Sequence, residues 1–93
     1  MAKLIKINLL VTLLKMIKTK KKIEKIILKV FKIKKQKKEL NVDSIDNWDS
    51  IGHLHVISAL EKEFKINISS KQISKMLSEK AIYEVVSKIK KTN

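Results

Sequence analysis

Residues 47–64, NWDSIGHLHVISALEKEF, contain the clearest helical pattern of the sequence and decide its fold class. Apolar residues recur at spacings of three and four from Ile51 to Phe64, as they do on one face of an α-helix. Asp49 precedes the first apolar residue, where a carboxylate can accept hydrogen bonds from the N–H groups of the first turn. The stretch therefore predicts a helix over residues 50–64 with Asp49 as its N-cap.

The rest of the chain also predicts helices. Apolar residues at helical spacing indicate a first helix over residues 20–33, a short helix over residues 70–77, and a last helix over residues 79–90 that Ser78 can cap. Residues 34–48 lose this period and read as a long linker. There is no proline and only one glycine, so tight turns have few of their usual residues. We predict an all-α fold, a small up-down four-helix bundle with three long helices, one short helix and a long first linker.

The first 18 residues stand apart from this predicted bundle. They are apolar with interspersed lysines, and their longest uncharged stretch, residues 7–14, is far short of the roughly 20 residues needed to cross a bilayer. We expect a basic apolar N-terminal extension over residues 1–18 and one domain over residues 19–93. Two interpretations of the extension stay open. It is an amphipathic helix for a membrane surface, with Lys15, Lys18 and Lys22 along one side, or an added helical or disordered segment without a special role.

The net charge of +13 is concentrated in the first part of the chain. Residues 1–39 hold 14 lysines and two acids, a balance of +12, whereas residues 40–93 hold eight lysines and seven acids, a balance of +1. This distribution supports a basic helical protein that binds nucleic acid or an anionic membrane. The absence of arginine, the scarcity of aromatic residues and the nearly neutral second part weigh against nucleic acid.

Several kinds of active site are excluded by residue content and spacing. The chain has no cysteine, which rules out disulfides and thiolate metal sites within it. His53 and His55 are two residues apart on the predicted helix and point in nearly opposite directions, so they cannot bind one metal ion together. No Gly-x-Ser-x-Gly elbow and no glycine-rich phosphate loop is present. We expect a protein that is not an enzyme and holds no metal ion.

The triplet Asp-Ser-Ile occurs twice, once around Ser44 and once around Ser50. Ser44 lies inside the predicted linker, where a local turn is the expected role for its side chain. Ser50 stands at the start of the predicted helix, where backbone N–H groups and the helix dipole favour an attached anion. Ser50 is therefore either an ordinary cap or first-turn residue or a site of phosphoryl attachment.

The stretch NWDSIGHLHVISALEKEFKINI (residues 47–68) resembles the central part of acyl carrier proteins. In that family an Asp-Ser-Leu/Ile motif opens the second helix, which continues through Ala-Leu-Glu-x-x-Phe; here these pieces are residues 49–51 and residues 59–64. Residues 48–54 match a Trp-Asp-Ser-(Leu/Ile)-Gly-His-Leu variant that recurs in members outside the standard fatty-acid carrier. The order of the helices also agrees, so the resemblance covers about residues 19–91.

The resemblance implies a carrier with 4′-phosphopantetheine on Ser50, flanked by Asp49 and Ile51. A phosphopantetheinyl transferase would attach the group from coenzyme A with Mg²⁺. An acyl- or aminoacyl-loading ligase would then charge it with a thioester, for synthase enzymes of fatty-acid-like, polyketide or other pathway-specific biosynthesis. The resemblance further implies a cytoplasmic location and partner recognition by Asp49, Leu54, Glu61 and Glu63. Membrane-surface contact through residues 1–18 rests on the pattern of the extension alone and can hold together with the carrier role.

Family members often shelter the acyl chain among their helices. The matching candidates here are Ile51, Leu54, Ile57, Ile73 and Ile82, with ordinary core packing as the alternative for each.

Two features depart from the family. The second helix carries Gly52, His55 and Lys62 where acids are common, and the basic extension has no counterpart. Both favour a pathway-specific carrier over a housekeeping fatty-acid role. A relative that is never modified, in which Ser50 is only a cap, is a further alternative.

Overall fold

The fold is built from helices throughout the part of the chain that the structure describes. The structure, a computed structural model, describes the backbone of residues 2–34 and 39–92 and the side chains of residues 8–34 and 39–90. Within these ranges the chain forms α1 (Ala2–Val30), α2 (Ser50–Phe64), α3 (Ser70–Ile73) and α4 (Glu79–Thr92), and no strand. The predicted all-α bundle with three long helices and one short helix is confirmed. Residues 35–38 of the predicted linker, and both terminal residues, lie outside the described residues.

α1 is the central helix of the bundle, because it packs against both α2 and α4. Its second half contributes Ile23 and Ile27, which are fully buried. Trp48 and other apolar residues of the linker close the core from the side. The remaining core residues are Phe31, Leu40, Ile45, Val56, Ile57, Leu60, Ile66, Ile68, Met76, Ile82 and Val86. Burial of this apolar surface is the main force that holds the helices together.

The first half of α1 continues the same helix beyond the core. At 29 residues α1 is about 43 Å long, and the molecule measures 50 Å along its longest axis. Its apolar side chains from Leu9 to Ile17 are exposed, whereas Thr19 is buried and donates a hydrogen bond to the carbonyl of Lys15 at 2.9 Å. Thr19 is the first buried side chain among those described, and α1 runs through this position without a break. None of the described helices is long and apolar enough to cross a membrane.

α3 is only four residues long, so the predicted helix over residues 70–77 was wrong in its second half. The cause is pairing with the linker. The N–H of Val42 donates to the carbonyl of Leu77 at 3.0 Å, and the N–H of Glu79 donates to the carbonyl of Leu40 at 2.7 Å. These bonds require an extended backbone between α3 and α4, and they offer an alternative to the helical hydrogen bonds.

The predicted first helix over residues 20–33 was wrong at both ends: α1 begins at Ala2 and ends at Val30, and Lys32 after it is in the left-handed conformation. The predicted end of α2 and the predicted cap of the last helix agree with the structure. The hydroxyl of Ser78 accepts a hydrogen bond from the N–H of Ala81 at 3.1 Å, which confirms its capping role at the start of α4. Lys65 ends α2 in the left-handed conformation, with φ of 54°. Beyond it, Ile66 and Ile68 are both buried, as alternation in an extended link predicts.

Glu79 lies in the first turn of α4 and has an unfavourable environment for its charge. Burial raises the pKa of its carboxyl group above the usual 4.5; the neighbouring Glu24 and Glu39 raise it further, and Lys20 opposes them. The folded state therefore binds a proton at Glu79 more readily than the unfolded state does. It follows that this group destabilises the fold as pH rises through the raised pKa.

We predict that the melting temperature of Glu79→Gln exceeds that of the wild type by more at pH 7 than at about pH 3, far enough below the usual 4.5 for Glu79 to be protonated in both states. Thermal unfolding of both proteins followed by circular dichroism across this range measures the difference. Glu84→Gln, at an exposed position of the same helix, is the control and should show no such trend. A difference that grows as pH falls contradicts the assignment.

Candidate functional site

The N-terminus of α2 leaves one serine hydroxyl free. Asp49 is the N-cap, as predicted, and its Oδ1 accepts a hydrogen bond from the N–H of Gly52 at 2.9 Å. Ser50 is the first residue of the helix and is exposed. Its hydroxyl makes no hydrogen bond to any residue that the structure describes. The capping role thus belongs to Asp49, and the Ser50 oxygen is open to solvent.

Ser44, in the other Asp-Ser-Ile triplet, has the opposite environment. Its hydroxyl donates to the carbonyl of Glu39 at 2.8 Å and accepts from the N–H of Asn41 at 3.0 Å. The side chain of Asn41 in turn accepts the N–H groups of Asp43 and Ser44 at 2.8 and 2.9 Å. The predicted turn is confirmed, and the Ser44 hydroxyl is part of it. The two Asp-Ser-Ile triplets therefore differ in the environment of their serine hydroxyl, which is exposed at Ser50 and held in hydrogen bonds at Ser44.

His53 joins three segments of the chain through two hydrogen bonds. The indole N–H of Trp48 lies 2.9 Å from Nδ1 of His53, and Nε2 of His53 lies 2.7 Å from the carbonyl oxygen of Ile73. Since the indole can only donate and the carbonyl can only accept, Nδ1 accepts and Nε2 carries the proton. The neutral imidazole therefore ties the linker and α3 to α2. His55 is exposed, and the described residues contain no cluster of three or more metal-binding side chains.

Gly52 sits where no larger residue fits. A Cβ atom at this position would lie 2.7 Å from the carbonyl oxygen of Asn47 and 2.7 Å from Cε1 of Phe31. The Phe31 ring packs on the indole of Trp48, with ring centroids 5.2 Å apart. The close approach of α2 to the end of α1 and to the linker therefore explains a glycine in the first turn of this helix.

Apolar side chains beside Ser50 face outward. Ile51 is 68% exposed and Leu54 is 57% exposed, because α2 turns its other face to the core. The interpretation of these two residues as part of an interior lining was wrong. Ile57 and Ile82 are buried and Ile73 packs against the core, as both the interior-lining and the core-packing interpretations predict. Ile51 and Leu54 instead form an apolar surface next to the free hydroxyl.

The acidic residues of α2 are not equally available. One carboxylate oxygen of Glu61 accepts the N–H of Ile68 at 2.9 Å, and that of Asp49 is used by the cap. Glu63 is exposed, and its carboxylate makes no hydrogen bond to any described residue. α2 itself therefore carries two carboxylates, Glu61 and Glu63, both in its last turn on either side of Lys62, and Asp49 adds a third at its cap.

An open groove of about 360 Å³ runs beside the N-terminus of α2. One wall comes from the end of α1 and from Lys32, two residues beyond the helix, which has a left-handed φ of 56°. The other wall contains Asp49, Ile51 and His55. The groove combines apolar carbon with a lysine ammonium group, next to a helix N-terminus that favours anions.

No protein-family model matches the chain, and no curated protein matches it. One solved structure, described as "The ishigamide ketosynthase/chain length factor", contains a similar chain. The two chains are 27% identical with a TM-score of 0.62, and the match covers 75% of this chain and 90% of the other. Since three quarters of 93 residues correspond to nine tenths of the other chain, that chain is about 78 residues long. It is thus the size of one small domain.

We predict that His53→Ala lowers the free energy of unfolding by about 1–3 kcal/mol, because it leaves the buried indole N–H of Trp48 and the Ile73 carbonyl without partners. Urea unfolding followed by the fluorescence of Trp48, the single tryptophan, measures the change. His55→Ala, at an exposed position two residues away, should stay within about 0.5 kcal/mol of wild type. Equal losses in both variants would rule out the proposed tie.

For Gly52→Ala, intrinsic helix propensity predicts a gain in stability and packing predicts a loss. Alanine is favoured over glycine in a helix by about 1 kcal/mol, whereas the clash with Asn47 and Phe31 costs about 1–3 kcal/mol. One of the two contacts is a backbone oxygen, which cannot rotate away, so we expect the variant to be less stable than wild type. The urea midpoint measures this, with Ser58→Ala on the exposed side of α2 as the control. A higher midpoint in Gly52→Ala would contradict the crowded geometry.

Proposed function

We propose that this chain is a carrier protein that bears 4′-phosphopantetheine on Ser50 and delivers acyl or aminoacyl groups to synthase enzymes. The observation that carries the proposal is the contrast between the two Asp-Ser-Ile triplets. The hydroxyl of Ser50 is exposed and free, whereas that of Ser44 is held in a turn. An attachment site for a transferase requires an accessible nucleophile, and of these two serines only Ser50 meets this requirement.

The residues around Ser50 suit a phosphate diester. Asp49 caps the helix and leaves the serine oxygen out of the capping bonds. The fifteen-residue α2 offers its positive dipole end to an anion at this point. Lys32 in the adjacent groove supplies a further positive charge, and the groove would receive the arm. The prosthetic group itself supplies the thiol that carries the cargo as a thioester. The protein, which has no cysteine, supplies position and recognition and is proposed not to be an enzyme.

The surface next to Ser50 suits docking of partner enzymes. Ile51 and Leu54 are exposed apolar side chains on the same helix as the attachment site. Such side chains can act as anchors in partner pockets. We propose that a phosphopantetheinyl transferase, a loading ligase and downstream synthases read this surface together with Asp49 and Glu63.

The likeness to a chain in a ketosynthase structure supports a role beside synthase enzymes. The matching chain is about 78 residues long. This size suits a small carrier domain rather than a condensing enzyme with its own active-site pocket. α2 contains only two acidic residues, Glu61 and Glu63, with Lys62 between them. This supports a pathway-specific carrier, since partners that read a dense acidic helix would associate with it slowly.

We predict that incubation with coenzyme A, Mg²⁺ and a broad-specificity phosphopantetheinyl transferase adds one phosphopantetheine to the wild type. Intact mass spectrometry measures the gain. Ser50→Ala should gain nothing and should fold like wild type, because the hydroxyl it removes makes no hydrogen bond to a described residue.

Ser44→Ala is the matched control, since the same triplet is changed at the other site. It should lose some stability, because its hydroxyl bonds in the turn are removed, yet it should gain the full mass. Modification of Ser50→Ala, or no gain in wild type with this transferase or with one from the source organism, would reject the proposal.

A further inference from the structure

One stripe of α1 changes character half-way along the helix. Positions 10, 14, 18, 21, 25 and 29 follow one another at spacings of three or four residues, so they lie on the same side of α1. The first two are leucines and the last four are lysines. The stripe is therefore apolar over the first half of the helix and basic over the second.

The apolar part, which we call the leucine face, is exposed. It consists of Leu10, Leu13, Leu14 and Ile17, whose spacing is i, i+3, i+4 and i+7. Each of these side chains is between 49% and 60% exposed. Four large apolar side chains in one exposed patch are more than the scattered apolar residues of an ordinary surface, and such patches mark interaction sites.

The basic part, which we call the lysine face, consists of Lys18, Lys21, Lys25 and Lys29. All four are exposed, and none has an ionic or aromatic partner among the described residues. Other lysines of α1 do have such partners. Lys20 lies over the ring of Tyr83 and Lys22 over the ring of Phe64. The lysine face thus holds four positive charges without a direct partner among the described residues, although Lys21 borders a groove that also contains Glu24 and Glu79.

The core of the bundle contacts a different side of α1 from the one that carries the leucine and lysine faces. Thr12 and Thr19 line an open groove together with Tyr83 and other residues of α4, and Thr19 is buried there. Both threonine hydroxyls donate to carbonyls of their own helix at 2.9 Å, so they need no further partner. Ile23 and Ile27 extend this side into the core. Leu10, Leu13 and Leu14 line neither this groove nor a second one against α4, whereas Ile17 borders the second groove beside Glu79 and Tyr83. The leucine face is therefore open to solvent except at its Ile17 end.

We propose that the leucine and lysine faces together dock the protein on an anionic lipid surface. The leucine face enters the apolar boundary of the bilayer, and the lysine face, about 17 Å long, lies among the headgroup phosphates. Burial of the leucine face supplies the apolar part of the affinity, and each lysine near an anionic surface adds to it. An apolar segment followed on the same stripe by free lysines matches the layered chemistry of such a surface.

Other partners fit the stripe less well. Nucleic acid would pair with the lysine face but would leave the leucine face in water, since phosphates and sugars offer it nothing to bury against. A second copy of the chain would cover the leucine face but would bring two net charges of +13 together, and their repulsion opposes association. Of these three partners, the anionic lipid surface is the one that satisfies both parts at once.

The test is co-sedimentation of the full chain with vesicles of phosphatidylcholine alone and of phosphatidylcholine mixed with phosphatidylglycerol. We expect binding to the mixed vesicles and at least tenfold weaker binding to the neutral ones. A leucine-face variant should lose at least tenfold in affinity for the mixed vesicles; it carries Leu10→Gln, Leu13→Gln, Leu14→Gln and Ile17→Gln. Glutamine is a good helix former, so α1 is retained in this variant. Its circular dichroism and the fluorescence of Trp48 should match wild type.

Two control variants test whether the location of the replaced side chains matters or only the number of apolar or charged groups that are removed. The first control removes exposed apolar side chains elsewhere, by Ile51→Gln, Leu54→Gln and Leu77→Gln. It should bind the mixed vesicles like wild type. A lysine-face variant replaces Lys18, Lys21, Lys25 and Lys29 by glutamine and should bind at least tenfold more weakly. Its control makes the same change of net charge, from +13 to +9, at other exposed lysines and should bind more tightly than the lysine-face variant. These are Lys62, Lys71, Lys75 and Lys80.

Three outcomes overturn the proposal. The first is equal binding of wild type and the leucine-face variant to the mixed vesicles. In the second, wild type sediments as a dimer without vesicles, the leucine-face variant sediments as a monomer, and neither binds lipid. In the third, wild type binds a DNA duplex through the lysine face while it ignores both kinds of vesicle. None of these measurements depends on modification of Ser50, so they separate lipid docking from the carrier role.

Discussion

The hydrogen bonds of His53 hold together the end of the molecule where α2 begins. The imidazole accepts the indole N–H of Trp48 and donates to the carbonyl of Ile73, and these partners come from the linker and from α3. A single ring thus fixes the position of the linker before α2 and of the short helix that follows it. The Trp48 indole then packs on Phe31 at the end of α1. Together with the burial of Ile45 and Trp48 in the core, this tie holds the linker residues before Asp49 next to the helix that Asp49 caps.

The hydrogen bonds of His53 also explain why the N-terminus of α2 can be exposed and still be held in a fixed position. Asp49 satisfies an N–H group of the first turn, and Gly52 allows α2 to approach the Asn47 carbonyl and the Phe31 ring. The core lies on one side of this junction and Ser50 on the other. A free hydroxyl on a well-supported helix end is a rigid presentation of a reactive atom, and rigid positioning reduces the entropy lost when a partner engages it.

Local patterns allowed most of the fold to be predicted, and contacts distant in sequence account for the rest. The bounds of α2 and the cap by Asp49 follow from residues adjacent in sequence, and both were correct. The length of α3 was wrong, because the pairing of Val42 with Leu77 lies between segments 35 residues apart and leaves no periodic signal. For the same reason the bond from His53 to Ile73, twenty residues away, could not be found from the sequence. The exposure of Ile51 and Leu54 depends on which face of α2 meets α1, and the broad apolar pattern of this helix leaves that choice open.

The continuity of α1 sets a distance within the molecule. The helix contains neither glycine nor proline, the residues that most often introduce kinks, so its two ends are held in fixed relation. Sixteen residues separate Leu14 from Val30, which corresponds to about 24 Å along the axis. Val30 lines the same groove as Asp49 and Ile51. α1 therefore acts as a spacer, and anything bound at its outer leucines stands about 24 Å along the axis from the end at which the Ser50 hydroxyl is presented.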